Sequence, residues 1–151
     1  MFLGSPHQKM VLANNPVFWS IVIAAVAAQG LKILLILFRH AQDFHLADLV
    51  VTGGMPSSHT ALVSALALSA YLTEGFTTLF FVTLVLALIV IRDSLGVRRT
   101  VGEEGQVISQ LITKAKLRIP FHYSLGHTPL QVVVGAAIGI VSAIVAFGIF
   151  S

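Results

Sequence analysis

Two histidines of this chain occupy matched settings. His59 closes Pro56-Ser57-Ser58-His59, and His127 lies in Gly126-His127-Thr128-Pro129, each where a short polar turn runs into an apolar stretch of helical length. A neutral imidazole can attack phosphorus, and a protonated one can give a proton to the departing oxygen. Lysine and arginine stabilise the remaining phosphoryl oxygens as charge builds on them. Lys32 and Arg39 are seven residues apart, two helical turns, and so project from one helix face. Their plainer reading is a pair of cations that snorkel to anchor a helix end. Ser57 and Ser58 fit an ordinary helix N-cap, and equally a cap whose free N–H groups and hydroxyls also hold an anion.

Asp93 is the most conspicuous acid near the apolar segments. It either orients a histidine, as the third member of a catalytic triad does, or forms an ion pair with Arg92, Arg98 or Arg99. Gln131 follows His127 by four residues, one helical turn. Glu103 and Glu104 read as solvated surface, and His7, His40, His45 and His122 as solvated bystanders.

The elements that must position these residues are unusually apolar. Hydrophobic residues make up 56% of the 151 and charged ones only 10%, and the mean hydropathy is +0.93, so a membrane protein is expected. Cysteine is absent, which excludes disulfides and thiolate metal sites. A net charge of +3 in such a chain points to lipid headgroups or an anionic substrate and not to nucleic acid, since aromatic side chains for base stacking are missing around the cations.

Four apolar segments are read off, each near the ~20 residues that span a bilayer. They run from Val17 to Phe38, from the Gly53 turn to Leu72, from Phe76 to Ile91 and from Pro129 to Phe150. The first imitates a signal peptide, with Ala25-Val26-Ala27 as a mock cleavage site, but its hydrophobic run continues through Leu37. Between Arg92 and Thr128 the chain turns polar and basic, and Val107, Ile108, Leu111 and Ile112 recur at the spacing of an interfacial amphipathic helix. The expected fold is an all-α membrane bundle of about four transmembrane helices plus that interfacial helix, in one domain over residues 1–151.

If all four segments cross, the loops from Arg39 to Pro56 and from Arg92 to Thr128 share one face. They carry Arg39, Arg92, Arg98, Arg99, Lys114, Lys116 and Arg118 against a lone Lys9 opposite, so that face is expected to be cytoplasmic and the membrane a bacterial-type plasma membrane. Both histidine motifs then gather at one surface. Gly135 with Gly139, and Ala24 with Ala28, form small-residue faces that suit either packing within the chain or a homo-oligomer.

Three stretches resemble the phosphatase motifs of the type 2 phosphatidic acid phosphatase and vanadium haloperoxidase superfamily. They are Lys32 with Arg39; Pro-Ser-Ser-His at 56–59; and Gly-His-Thr-Pro-Leu-Gln-Val at 126–132, followed by Gly135 and Gly139. "GGMPSSHTALVSALA", "RDSLGVRRTVG" and "LGHTPLQVVVGAAIG" are similar to its small divergent membrane branch. The resemblance runs from Lys32 onward. It implies that His127 is the nucleophile and His59 the general acid, that Lys32, Arg39, Ser57 and Ser58 hold phosphate oxygens, and that the reaction proceeds without metal or cofactor through a phosphohistidine. The implied substrate is a lipid phosphomonoester or diphosphate, such as phosphatidylglycerophosphate or an isoprenoid phosphate; the alternative is a binder or carrier without turnover.

The chain departs from the superfamily pattern in three places. His40 replaces the proline after the first-motif arginine. Tyr123-Ser124 stands where Ser-Arg opens the third motif, which leaves Arg98, Arg99 or Arg118 to supply the missing cation. Gln131 replaces the acid after the nucleophile, with Asp93 as the expected substitute. The chain also has fewer helices than the six of the familiar core.

Overall fold

A computed structural model describes residues 14–40, 54–117, 119 and 126–151. Five helices follow in order: α1 Pro16–His40, α2 Ser58–Glu74, α3 Thr78–Leu95, α4 Val97–Lys114 and α5 Pro129–Phe150. Local chemistry sets where they begin. The Asn15 side chain accepts the Phe18 N–H at 3.1 Å ahead of α1, with Pro16 at the first helical position, where a missing N–H costs nothing. Ser57 caps α2 by accepting the Thr60 N–H at 3.4 Å. Gly75 ends α2 in the left-handed region, at φ 71°, which favours glycine.

Antiparallel packing follows from contacts at the two ends. Trp19 stacks on Phe150 with ring centroids 5.2 Å apart, so the start of α1 meets the end of α5. The Ser20 and Ser69 hydroxyls meet at 2.6 Å, which pairs that same start with the end of α2. At the opposite end the Ser57 N–H donates to the Gln131 carbonyl at 3.1 Å, and the His127 N–H to the Ser94 carbonyl at 3.3 Å. The second half of α1, the starts of α2 and α5 and the end of α3 therefore share one end of the bundle. The other end gathers aromatic rings: besides Trp19 and Phe150, Tyr71 lies 4.9 Å from Phe76 and 5.6 Å from Phe80. Such a collar suits a membrane–water boundary.

Three helices, α1, α2 and α5, pack against one another, while α3 leans on α2 and α4 on α3. Their shared core is built from small residues: Ala24 and Ala28 of α1 and Ala61 and Ala65 of α2, with Ile138 of α5 against them. Gly135 brings α5 against the Ser57 carbonyl, and Gly139 against the Ala61 carbonyl, so closely that neither leaves room for a Cβ. In lipid, where apolar surface alone does not drive helices together, such close approach supplies the association. Both small-residue faces noted in the sequence are used inside the chain.

Three stretches are long and apolar enough to cross a membrane: Pro16–Phe38, Thr78–Lys114, which is α3 continued into α4, and Pro129–Phe150. The remaining expected span, α2, has 17 residues, about 26 Å at a rise of ~1.5 Å, just short of the roughly 30 Å hydrocarbon core. Its composition has a physical reason. Thr60, Ala61, Ala65, Ala67, Ser69 and Ala70 are buried against the neighbouring helices, so α2 meets mainly protein and needs small residues more than greasy ones. The third segment, expected from Phe76 to Ile91, forms a helix from Thr78 that runs on to Leu95.

Candidate active site

His127 is fixed by the way α5 begins. Thr128 and Gln131 form a reciprocal capping box with Pro129 at the first turn. In it, Gln131 Oε1 accepts the Thr128 N–H at 3.1 Å. The same oxygen lies 3.1 Å from His127 Nδ1. Since the amide presents its acceptor there, Nδ1 must carry the proton, and the lone pair of the neutral ring resides on Nε2. A neutral side chain thus sets the tautomer that a nucleophilic imidazole needs.

The backbone is clamped as well. Besides the bond from the His127 N–H to Ser94, Gly126 lies against the backbone of Arg98 and Arg99 with no space for a Cβ. The bond from the Ser57 N–H to the Gln131 carbonyl ties the start of α2 to the first turn of α5. Two motifs separated by about seventy residues are thereby brought to one place.

What surrounds the ring is cationic. His127 is only 8% exposed, and burial holds its pKa below the ordinary 6.5; the charges of Lys32 and His59 push it the same way, while Gln131 and the Gly54 backbone oppose. Lys32 is itself 8% exposed, and its Cε passes 3.7 Å from where a Cβ on Gly54 would stand. Gly54 adopts φ 83°, so the turn that folds over Lys32 uses the residue least strained there. Lys32 and His59 thus stand close enough for their charges to act on the His127 ring, at the N-terminal end of α2, where first-turn N–H groups lack helical partners.

The other residues singled out in the sequence fall as follows. Ser57 is fully buried and serves as a cap, its hydroxyl 2.9 Å from that of Thr60. Ser58 donates to Gln29 Oε1 at 3.4 Å, while His59 is exposed at the second position of α2. Of the two roles open to Asp93, the structure shows the ion pair: its carboxylate is 2.5 Å from Arg98 Nε, both side chains about half exposed. The group on His127 Nδ1 is Gln131, not Asp93, whose carboxylate in the last turn of α3 is taken by Arg98 five residues on. Arg99 pairs with Glu103 at 3.0 Å. Arg98 and Arg99 thus reach the site through their backbone, against Gly126, with their Nε atoms committed elsewhere. The Arg39 side chain lies outside the described residues, as do Arg118, Tyr123 and Ser124.

Sequence reasoning passed over Gln29, Gly54 and Ser94. Gln29 carried a usable signal, since an amide inside a membrane-crossing segment calls for a partner. Ser94 acts through its carbonyl, which no side-chain pattern reveals. Among the described residues no three histidine, aspartate or glutamate side chains converge as a metal would require.

Residues 13–142 match the family described as the Divergent PAP2 family. The chain is 32% identical over 152 residues to the uncharacterized membrane protein YuiD of Bacillus subtilis (strain 168), an alignment that covers 89% of this chain and 95% of that one. No solved structure matches.

Proposed function

Because the chain belongs to the Divergent PAP2 family, we propose that this integral membrane protein is a lipid-phosphate phosphatase that works through a phosphohistidine on the cytoplasmic face. The observation that carries the reading is His127: its Nδ1 is committed to Gln131, and its Nε2 keeps a lone pair in a surface made cationic by Lys32 and His59.

The chemistry follows from those groups. Nε2 of His127 attacks phosphorus, a P–N bond forms, and the bond from phosphorus to the lipid oxygen breaks. The His59 imidazolium gives its proton to that oxygen, so the lipid leaves as an alcohol, or as a monophosphate if the substrate is a diphosphate. Water then attacks the phosphohistidine, neutral His59 takes its proton, and inorganic phosphate departs with His127 restored. Lys32 stabilises the phosphoryl oxygens in both steps.

Two features favour a lipid. Lys32 lies six residues inside the apolar span that ends at Phe38, about 9 Å along the helix axis, within reach of a headgroup whose tail stays in the bilayer. Arg92, Arg98, Arg99, Lys114 and Lys116 lie on or after the helices at this end of the bundle, which favours a cytoplasmic orientation. Phosphatidylglycerophosphate and isoprenoid phosphates both suit it.

Gln131 favours a second reading. A neutral amide orients His127 without stabilising its cationic form by charge, which suits a lipid-phosphate binder or carrier as well as an enzyme. Phosphate release from these lipids by the purified protein in mixed micelles separates the two. The phosphatase reading expects release that falls to background in His127→Ala. Saturable binding of the same lipids with no release assigns the protein to the carrier class.

A further inference from the structure

The amphipathic helix α4 has an apolar face that no other described residue covers. Val97, Val101, Ile108 and Leu111 recur at the three- and four-residue spacing of one stripe, and each is between 44% and 67% exposed. Arg98 and Lys114 flank the stripe on its two sides, Glu103 lies beside Lys114, and Arg99 is on the opposite face. Glu104 falls within the stripe itself. A helix that crossed the bilayer would hold that carboxylate in hydrocarbon, whereas in one lying in the interface plane the side chain has only to turn sideways and up to reach the headgroups.

Continuity says what covers this face. A single residue, Gly96, separates α4 from the membrane-crossing α3. The outward residues of α3, among them Leu86, Leu88 and Ile89, are exposed in the bundle, as residues facing lipid must be. The chain therefore leaves α3 at the bilayer surface, and Val97 begins a second apolar face there. The corner is held by the Asp93–Arg98 ion pair. On its inner side it carries the two contacts that fix His127: Ser94 receives the His127 N–H, and the Arg98–Arg99 backbone packs against Gly126.

We propose that α4 is a bilayer-docking element, its apolar face seated on an anionic lipid surface, and that this seating holds the segment that carries His127. Hydrophobic burial and the flanking cations supply the affinity. The docking does not depend on His127 being a nucleophile; only its consequence for turnover rests on the phosphatase reading.

The natural absence of cysteine makes the test direct. Single cysteines placed along α4 in the full-length protein, for example Val101→Cys, Gln106→Cys, Ile108→Cys, Gln110→Cys and Leu111→Cys, carry nitroxide labels in phosphatidylethanolamine–phosphatidylglycerol vesicles. Accessibility to oxygen is then compared with accessibility to a water-soluble nickel complex. Docking predicts oxygen-rich, nickel-poor positions at 101, 108 and 111 and the reverse at 106 and 110, with a period of about 3.6 residues. Uniform access to nickel overturns the proposal. So does shielding of the apolar positions from both reagents, which would mean that a second copy of the chain covers the face.

The link to the site is read in the same vesicles from the NMR signal of the His127 ring, assigned by its loss in His127→Gln. Ile108→Glu with Leu111→Glu should abolish the depth pattern and move that signal's titration toward the ordinary histidine value. An unmoved titration after docking is lost overturns the coupling, and a depth pattern that survives both charges overturns the docking.

Discussion

Gln131 Oε1 stands 3.1 Å from His127 Nδ1 while it also accepts the Thr128 N–H. One amide therefore both closes the first turn of α5 and fixes which nitrogen of the ring can react. A glutamate at the same position could keep the capping box and add a charge. Gln131→Glu is expected to raise the His127 pKa, since a carboxylate favours imidazolium, and Gln131→Leu to lower it, since the hydrogen bond that favours protonation is lost. Titration of the ring by NMR checks both signs.

The pH dependence of turnover carries its own sign. Burial, helped by the charges of Lys32 and His59, keeps His127 below the ordinary 6.5, so the proposed nucleophile stays neutral as the medium becomes mildly acidic. The acid limb of kcat/KM, which reports the free protein's essential base, should lie below pH 6.5. Lys32→Met removes a charge that disfavours the imidazolium, and the limb should move upward while the rate falls. A limb at or above the ordinary histidine value in the natural protein would contradict this assignment.

His59 is assigned the leaving group and not the attack, which makes its loss depend on the substrate. His59→Ala should slow release from an alkyl phosphate by about 10²–10⁴-fold, the usual contribution of a positioned acid. An aryl phosphate, whose oxygen departs without a proton, should suffer far less. Equal losses on both substrates would argue against the role.

Helix packing gives a prediction independent of chemistry. A Cβ at Gly139 would collide with the Ala61 carbonyl, whereas one at Gly148 meets nothing within 4 Å. Gly139→Ala should therefore destabilise the bundle by about 1–3 kcal/mol, as overpacking does. Gly148→Ala should be neutral or slightly stabilising. Unfolding in mixed detergent with increasing dodecyl sulfate measures both.

How far the sequence foretold this arrangement varies by residue. The apolar runs from Val17 and from Pro129 announced α1 and α5, because length and capping are local properties. That His59 and His127 stand at one end of the bundle was legible because each preceded an apolar stretch and because topology placed both on one face. That the second segment is short for a span was legible, but its polar content was not: Thr60 and Ser69 look like interruptions until they are seen buried, Ser69 against Ser20 of α1. The choice at Asp93 also needed coordinates. Spacing offered it Arg92, Arg98 and Arg99 alike, and only the bend at Gly96, where the backbone leaves helical geometry, delivers Arg98 to its carboxylate.

The account turns on one imidazole nitrogen, and vanadate, a phosphate analogue that histidine can bind covalently, tests it most directly. A structure of the full-length protein in lipid with vanadate bound should show vanadium bonded to Nε2 of His127, with Lys32 and His59 on its oxygens and Gln131 still on Nδ1. Vanadate bonded through Nδ1, or bound away from His127 at saturating concentration, would contradict it.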